Sequence, residues 1–182
     1  MPELQGREKM YYQTNYGSPI GNMVIVCDEE KSHIIGMWFE GQKYFLGGLK
    51  EEPVMQEDIP VLRKALDWLD AYFAGKKPLI SELPLAPEGG KFRQDVWDIL
   101  CEIPYGSVTT YGEIAKKMAA KMGRRTMSAQ AVGGAVAHNP ISVVIPCHRV
   151  LGTGGGLTGY AGGIDKKIKL LEHEGVEWNT IR

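Results

Sequence analysis

Cysteine is scarce in this chain. Three residues among 182, Cys27, Cys101 and Cys147, leave one over however they pair, so no disulfide framework is expected and the thiols read as reduced. Neither a CxxC nor an HxxxH pairing occurs. Zinc sites draw about four ligands from such pairings, so Cys27 and His33 are not read as a metal site and no metal is expected. No apolar run approaches the ~20 residues that span a bilayer, and residues 1–12 are polar without a secretory pattern. A cytoplasmic protein with no membrane partner is expected. Internal repeats and low-complexity tracts are lacking too. The glycine clusters at 152–156 and 162–163 have neither GxGxxG spacing nor a following lysine, which excludes a phosphate loop.

Negative charge is also missing from one long stretch. Residues 114–164 contain no Asp or Glu, yet hold Lys116, Lys117, Lys121, Arg124, Arg125 and Arg149. The net charge of -1 conceals nine basic and fourteen acidic residues in 1–90 against twelve and eight in 91–182. Two readings stand, a polyanionic partner or an ordinary solvated basic face. A pI of 6.4 argues against a general nucleic-acid packaging protein.

Taken in order, 10–16, 20–28 and 33–39 read as an antiparallel meander with a turn at Gly17-Ser18-Pro19. Asp58 is expected to cap a helix with Pro60 in its first turn, stopped at Gly75. The Pro- and Gly-rich residues 76–90 read as a linker between domains 1–88 and 89–182. The first domain is α+β, and nothing in it looks catalytic. The second opens with a helix over 91–103 ended by Pro104, with Cys101 packed on it. Thr110 and Glu113 fit a reciprocal capping box, and the helix it starts points Ile114, Ala115, Met118 and Met122 inward. Ser128 is placed to cap a further helix, 129–138, closed by Asn139-Pro140. The two helices across a basic turn fit a helix-turn-helix or a plain αα-hairpin. Gly133 and Gly134 in mid-helix cost about 1 kcal/mol each against alanine. Either another element packs very close, or the helix enters a narrow space such as a nucleic-acid groove. Asp165 is expected to cap a last helix to Glu174, with Ile164, Ile168 and Leu171 inward.

The chemistry concentrates at Ile145-Pro146-Cys147-His148-Arg149-Val150. The β-branched run Ser142-Val143-Val144-Ile145 reads as a buried strand, and the segment after it, 151–156, as a loop. A thiol beside an imidazole at a strand end is a good place for a nucleophile; a buried structural cysteine is the alternative.

In chain order the motifs are TYGEIA (110–115), AVGGAV (131–136), Asn139-Pro140, IPCHRV (145–150), GYAGG (159–163) and HEG (173–175). Together they resemble the O6-alkylguanine-DNA alkyltransferases, closely over 92–175, while the first domain is similar only in size and type. The resemblance implies an N-terminal ribonuclease-H-like antiparallel sheet with a helix, and a C-terminal, mostly helical, winged-helix-like domain with a helix-turn-helix. It implies repair of double-stranded DNA by irreversible, stoichiometric transfer of an alkyl group from O6-alkylguanine to a cysteine, with O4-methylthymine left open as a second substrate. Cys147 would be the acceptor. His148 would act as base through a water, Glu174 would orient it, Tyr111 would donate toward the departing base, and Asn139 would hold the active-site turn. Val150, Tyr160, Ala161 and Gly162 would line the pocket. Arg124, Arg125, Ser128, Ala129, Gln130, Gly133 and Thr153 would meet DNA, with helix 129–138 in the minor groove. No cofactor is implied, because damaged DNA is the alkyl donor, and the protein is expected to be a monomer.

The residues fit that chemistry from below. A thiol of pKa near ~8.5 needs a base, a leaving guanine is helped by a proton, and a duplex base must be flipped out to be reached. One position departs from the family pattern: Gln130 stands where many members have arginine, so weaker or slower flipping is expected, with Arg124 and Arg125 nearby to compensate. Two rival classes remain at this stage, a DNA-binding sensor without transfer and a multiple-turnover thiol hydrolase.

Overall fold

The computed structural model describes residues 8–178. Three strands form the expected meander: β1 (Tyr12–Ser18), β2 (Gly21–Cys27) and β3 (Ile34–Phe39). A short fourth strand, β4 (Val54–Met55), joins parallel to β1 and was not legible in the sequence, giving the order β3-β2-β1-β4. Met23, Ile25 and Cys27 of β2 face helix α1 (Pro60–Phe73), while Val24 and Val26 pack with Tyr11, Ile35 and Trp38 on the other face. Both faces are covered, which is why β2 and β3 read as nearly unbroken apolar runs instead of clean alternation. Gly36 lies under the Trp38 indole, where an added Cβ would come within 1.9 Å of the ring.

Helix α1 buries Val61, Leu62, Ala65, Trp68, Leu69 and Tyr72. Its N-cap is Ile59 with no side-chain bond. Asp58 does not cap it but pairs with Arg63 at 3.2 Å in solvent; Pro60, lacking an N–H, leaves one donor fewer to satisfy. The expected linker is pinned down: Ile34 N donates to Pro84 O and Ala86 N donates to Ile34 O, both at 2.8 Å, along the outer edge of β3.

Beyond it come α2 (Lys91–Cys101), α3 (Tyr111–Lys121), α4 (Ala129–Ala137) and α5 (Ile164–His173). The two-residue strands β5 (Thr109–Thr110) and β6 (Val150–Leu151) pair in parallel. Thr110 accepts from Glu113 N as expected, but Glu113 turns to Lys116 instead of reaching back. Ser128 caps α4 through Ala131 N. Asp165 sits in the first turn of α5, whose N-cap is Gly163. Ile164 and Met122 are exposed, not inward, and Lys167 takes an inner position of α5. The fold is α+β, and one continuous apolar core runs from the sheet and α1 through α2, α3 and α4. Among the described residues no helix is long and apolar enough to cross a membrane.

Candidate active site

The segment after α4 is a tight buried turn, not the expected strand. Val144 N donates to Ser142 O at 2.9 Å and Ile145 N to Ile141 O at 3.0 Å. Val143 has φ of 72°, a conformation that a β-branched residue adopts only when its surroundings enforce it. Two neighbours do so. Asn139 Oδ1 accepts from Ile141 N at 3.0 Å, and its Nδ2 donates to Ile145 O at 2.8 Å. Strand β3 grips the same turn from outside: Met37 N donates to Pro140 O, and Ser142 N to Met37 O, both at 2.8 Å. The β-branched run is apolar because it is buried; its backbone hydrogen bonds go to Asn139 and β3 instead of a ladder.

The turn delivers Cys147 as the first residue of a 3-10 turn, Cys147–Arg149. Cys147 is 7% exposed. It faces a pocket of about 300 Å³ walled by Tyr111, Gly133, Val136, Tyr160 and Ala161, with Lys43 and Tyr44 from the N-terminal part. That volume is at the small end for ligand sites. Gly162 stands behind the wall, where a Cβ would press within 2.9 Å of the Tyr160 ring and 3.2 Å of Phe39. Val150 lies beneath the pocket, fully buried in β6, instead of lining it.

Behind the thiol is a charged cluster. His148 is 0% exposed and its Nε2 meets Glu174 Oε2 at 2.6 Å. Glu174 also accepts from Arg149 Nε (2.7 Å), Arg149 Nη2 (3.1 Å), Tyr72 Oη (2.6 Å) and Gly106 N (3.0 Å). Burial alone would raise the Glu174 pKa, but His148 and Arg149 outweigh it and hold the carboxyl well below its usual range. An ionised carboxylate only accepts, so His148 Nε2 carries a proton and Nδ1 holds the lone pair. Nδ1 is buried and makes no hydrogen bond in the protein. Burial pulls the His148 pKa down against the pull of Glu174, so the ring is neutral. Burial pushes the Cys147 thiol up, opposed by Asn139 and the Lys167 cation. Tyr111 is likewise pushed up by burial, against a hydrogen bond with Thr158, and remains a phenol. The Tyr160 hydroxyl is enclosed beside Ser142 in no well-formed hydrogen bond.

Several residues of the site escaped the sequence reading. Lys167 is fully buried and donates to the carbonyls of Val150 (2.5 Å), Thr158 (2.9 Å) and Gly159 (3.3 Å), tying the pocket loop to the core. Burial lowers it to about 8. Its two neighbouring lysines on α5, Lys166 and Lys169, hide it in a run that reads as a solvated face. Arg149 was counted as surface charge, yet it is 6% exposed and bound to Glu174. Tyr44 stacks on His138 at the pocket mouth, centroids 4.0 Å apart, and Lys43 N donates to Ala161 O at 3.0 Å.

Arg124, Arg125, Ser128, Ala129 and Gln130 are all exposed, and Arg124, Arg125 and Ala129 line one groove between α3 and α4. A Cβ on Gly133 would meet only Tyr111, at 3.9 Å, and one on Gly134 would meet nothing within 4 Å. Close packing inside the protein therefore does not explain these glycines. The Thr153 side chain lies outside the described residues; its backbone belongs to a 3-10 turn. Cys27 is buried in the sheet and Cys101 half-buried, both pushed up to about 11 by burial. Among the described residues no group of three or more side chains is placed to hold a metal ion.

A recessed thiol beside a buried, neutral imidazole held by a carboxylate fits a thiol-dependent transferase. Residues 91–176 match the 6-O-methylguanine DNA methyltransferase DNA binding domain, and residues 10–87 match the ribonuclease-like domain of the same proteins, so the likeness of the N-terminal half goes beyond size and type. A methylated-DNA–protein-cysteine methyltransferase of Haemophilus influenzae is 39% identical over 167 residues, covering 92% of this chain and 88% of its own. One from Methanosarcina acetivorans is 43% identical over 171 residues, covering 91% and 99%. The Mycobacterium tuberculosis protein OGT in complex with DNA superposes with a TM-score of 0.75 at 35% identity, covering 94% and 98%. The chain belongs to the 6-O-methylguanine DNA methyltransferase family.

Proposed function

We propose that the protein repairs DNA directly, moving the alkyl group of O6-alkylguanine in double-stranded DNA onto Cys147, once per molecule. The observation that carries the reading is the recessed Cys147 backed by a neutral His148, whose Nδ1 lone pair is buried and whose other nitrogen is committed to Glu174. The raised thiol pKa means that little thiolate exists at rest, so the proton must be removed as the sulfur attacks. His148 Nδ1 takes it through a bridging water, and Glu174 stabilises the imidazolium. The S–C bond forms as the C–O6 bond breaks; the electron pair passes into the guanine, to which the Tyr111 hydroxyl offers a proton. Protein thiol and alkylguanine become protein thioether and guanine.

A sulfur on a residue only 7% exposed is out of reach of a stacked base, so the nucleotide must be extruded into the pocket. The exposed small-residue face of α4, with Arg124 and Arg125 beside it, suits the ~6 Å minor groove. The relative solved with DNA supports this partner. Asn139 would hold the turn that aims Cys147, Tyr160 and Ala161 would frame the base, and Gln130 would take the place vacated by the flipped nucleotide. A thioether has no easy reversal, so transfer stops at one equivalent. The chain works as a monomer, in a reducing compartment such as the cytoplasm that suits its three free thiols. O4-methylthymine, with a similar alkylated oxygen, is a second candidate substrate.

The test is to incubate the protein with increasing amounts of duplex carrying radiolabelled O6-methylguanine, and in parallel O4-methylthymine. Label transferred to protein should plateau at one equivalent. Binding without transfer would make the protein a sensor, and turnover of an ester beyond one equivalent would make it a hydrolase.

A further inference from the structure

The N-terminal part reaches into the charged cluster behind the thiol through the Tyr72 side chain. Tyr72, in the last turn of α1, donates its hydroxyl at 2.6 Å to Glu174 Oε2, the same oxygen that meets His148 Nε2. The Tyr72 carbonyl accepts from His173 Nε2 at 2.7 Å. The last turn of α1 thus clasps the end of α5 by side chain and main chain together.

We propose that Tyr72 is a positioning residue for alkyl transfer: its hydroxyl shares Glu174 Oε2 with His148 and so sets how strongly the carboxylate holds and charges the imidazole. The role rests on the transfer reaction proposed above. Two donors at 2.6 Å on one oxygen divide its charge. Without the phenol, more of that charge falls on His148 and the imidazolium gains stability. The other groups around the pair are Arg149 and Cys147 on the 3-10 turn, Lys167 and His173 on α5, and Tyr105, whose hydroxyl goes to His173 O at 3.3 Å. Of these, only Arg149 also bonds the Glu174 carboxylate. Tyr72 stays a neutral donor, because burial and Glu174 keep its phenol protonated.

The direct test follows the ring nitrogens of His148 by NMR as a function of pH, without DNA, in the parent, in Tyr72→Phe, and in a chain carrying 3-fluorotyrosine at position 72. Loss of the hydroxyl should raise the His148 midpoint by about one pH unit, and the stronger fluorinated donor should lower it. The acid limb of the single-turnover rate on O6-methylguanine duplex should move the same way. For Tyr72→Phe that is about tenfold slower transfer below the limb and no change well above it. Tyr105→Phe, which leaves the carboxylate untouched, should move neither. A lower melting temperature with an unmoved His148 midpoint would overturn the proposal, leaving Tyr72 as mere packing. If Tyr72→Phe does not fold, the fluorinated chain decides alone, by whether its midpoint falls. A parent that titrates as described but transfers nothing would instead refute the proposed function.

Discussion

Removing the Asn139 side chain puts the turn that carries Cys147 to the test. In Asn139→Ala the buried Ile145 carbonyl loses its 2.8 Å donor and the Ile141 amide its 3.0 Å acceptor. The Ile141 amide left without its acceptor in the core costs about 1–3 kcal/mol, while the Ile145 carbonyl keeps its 2.8 Å bond from Cys147 N and loses one hydrogen bond, so a loss of roughly 2–4 kcal/mol is expected. For a chain of this size that is a fall of about 5–15 °C in melting temperature. Function should suffer more than stability. The left-handed Val143 backbone, φ of 72°, is held against its preference by these bonds and by β3. Released, it relaxes toward ordinary angles and shifts everything up to the thiol. A displacement near 1 Å at a reacting atom costs about a hundredfold in rate. Thermal unfolding and single-turnover transfer from O6-methylguanine duplex measure both. Ser142→Ala, which loses only a 3.3 Å bond to Gln42, should stay within about threefold of the parent rate. If Asn139→Ala melts and reacts like the parent, the turn does not depend on Asn139 and the argument for its role is wrong.

Four further outcomes follow. Cys147→Ser should fold and bind alkylated duplex with unchanged affinity yet transfer nothing, as read by gel shift and label transfer together. Gly36→Ala forces a methyl to within 1.9 Å of the Trp38 ring and should destabilise by about 3 kcal/mol in urea titration, with transfer retained where the protein is folded. Gln130→Arg should tighten duplex binding and steepen its salt dependence, since one more cation meets the phosphates; identical salt slopes would remove Gln130 from the interface. Stability should decline as pH falls below about 6.5. The unfolded chain protonates His148 there while the native ring, its pKa lowered, resists. Glu174, also lowered, adds a second decline below the ordinary carboxylate range. His148→Gln should flatten the first decline, as followed by denaturant midpoints across pH.

The meander, α1 and the helix pair were legible because each carries a periodic apolar pattern with local punctuation: Pro60 at the start of α1, Ser128 before α4. The active-site turn was misread because burial selects the same residues in a strand as in a tight turn. Only Asn139, six residues before the end of its reach at Ile145, marks the difference. Tyr72 and Arg149 were not assigned to the site because their partner, Glu174, lies 102 and 25 residues away, and no spacing rule spans such distances. Lys167 shows the limit of charge patterns, since a lysine facing three carbonyls looks in sequence like its neighbours, half-buried Lys166 and exposed Lys169. The same applies to Arg149 in the carboxylate-free stretch: part of that apparent basic surface is neutralised in the interior.

The central claim is that the Cys147 sulfur takes the alkyl carbon and keeps it. The most direct measurement is mass spectrometry of the peptide carrying Cys147 after incubation with excess O6-methylguanine duplex. The account predicts one added methyl on that peptide and none on those carrying Cys27 or Cys101. An unmodified Cys147 peptide alongside duplex that has lost its methyl group would contradict it.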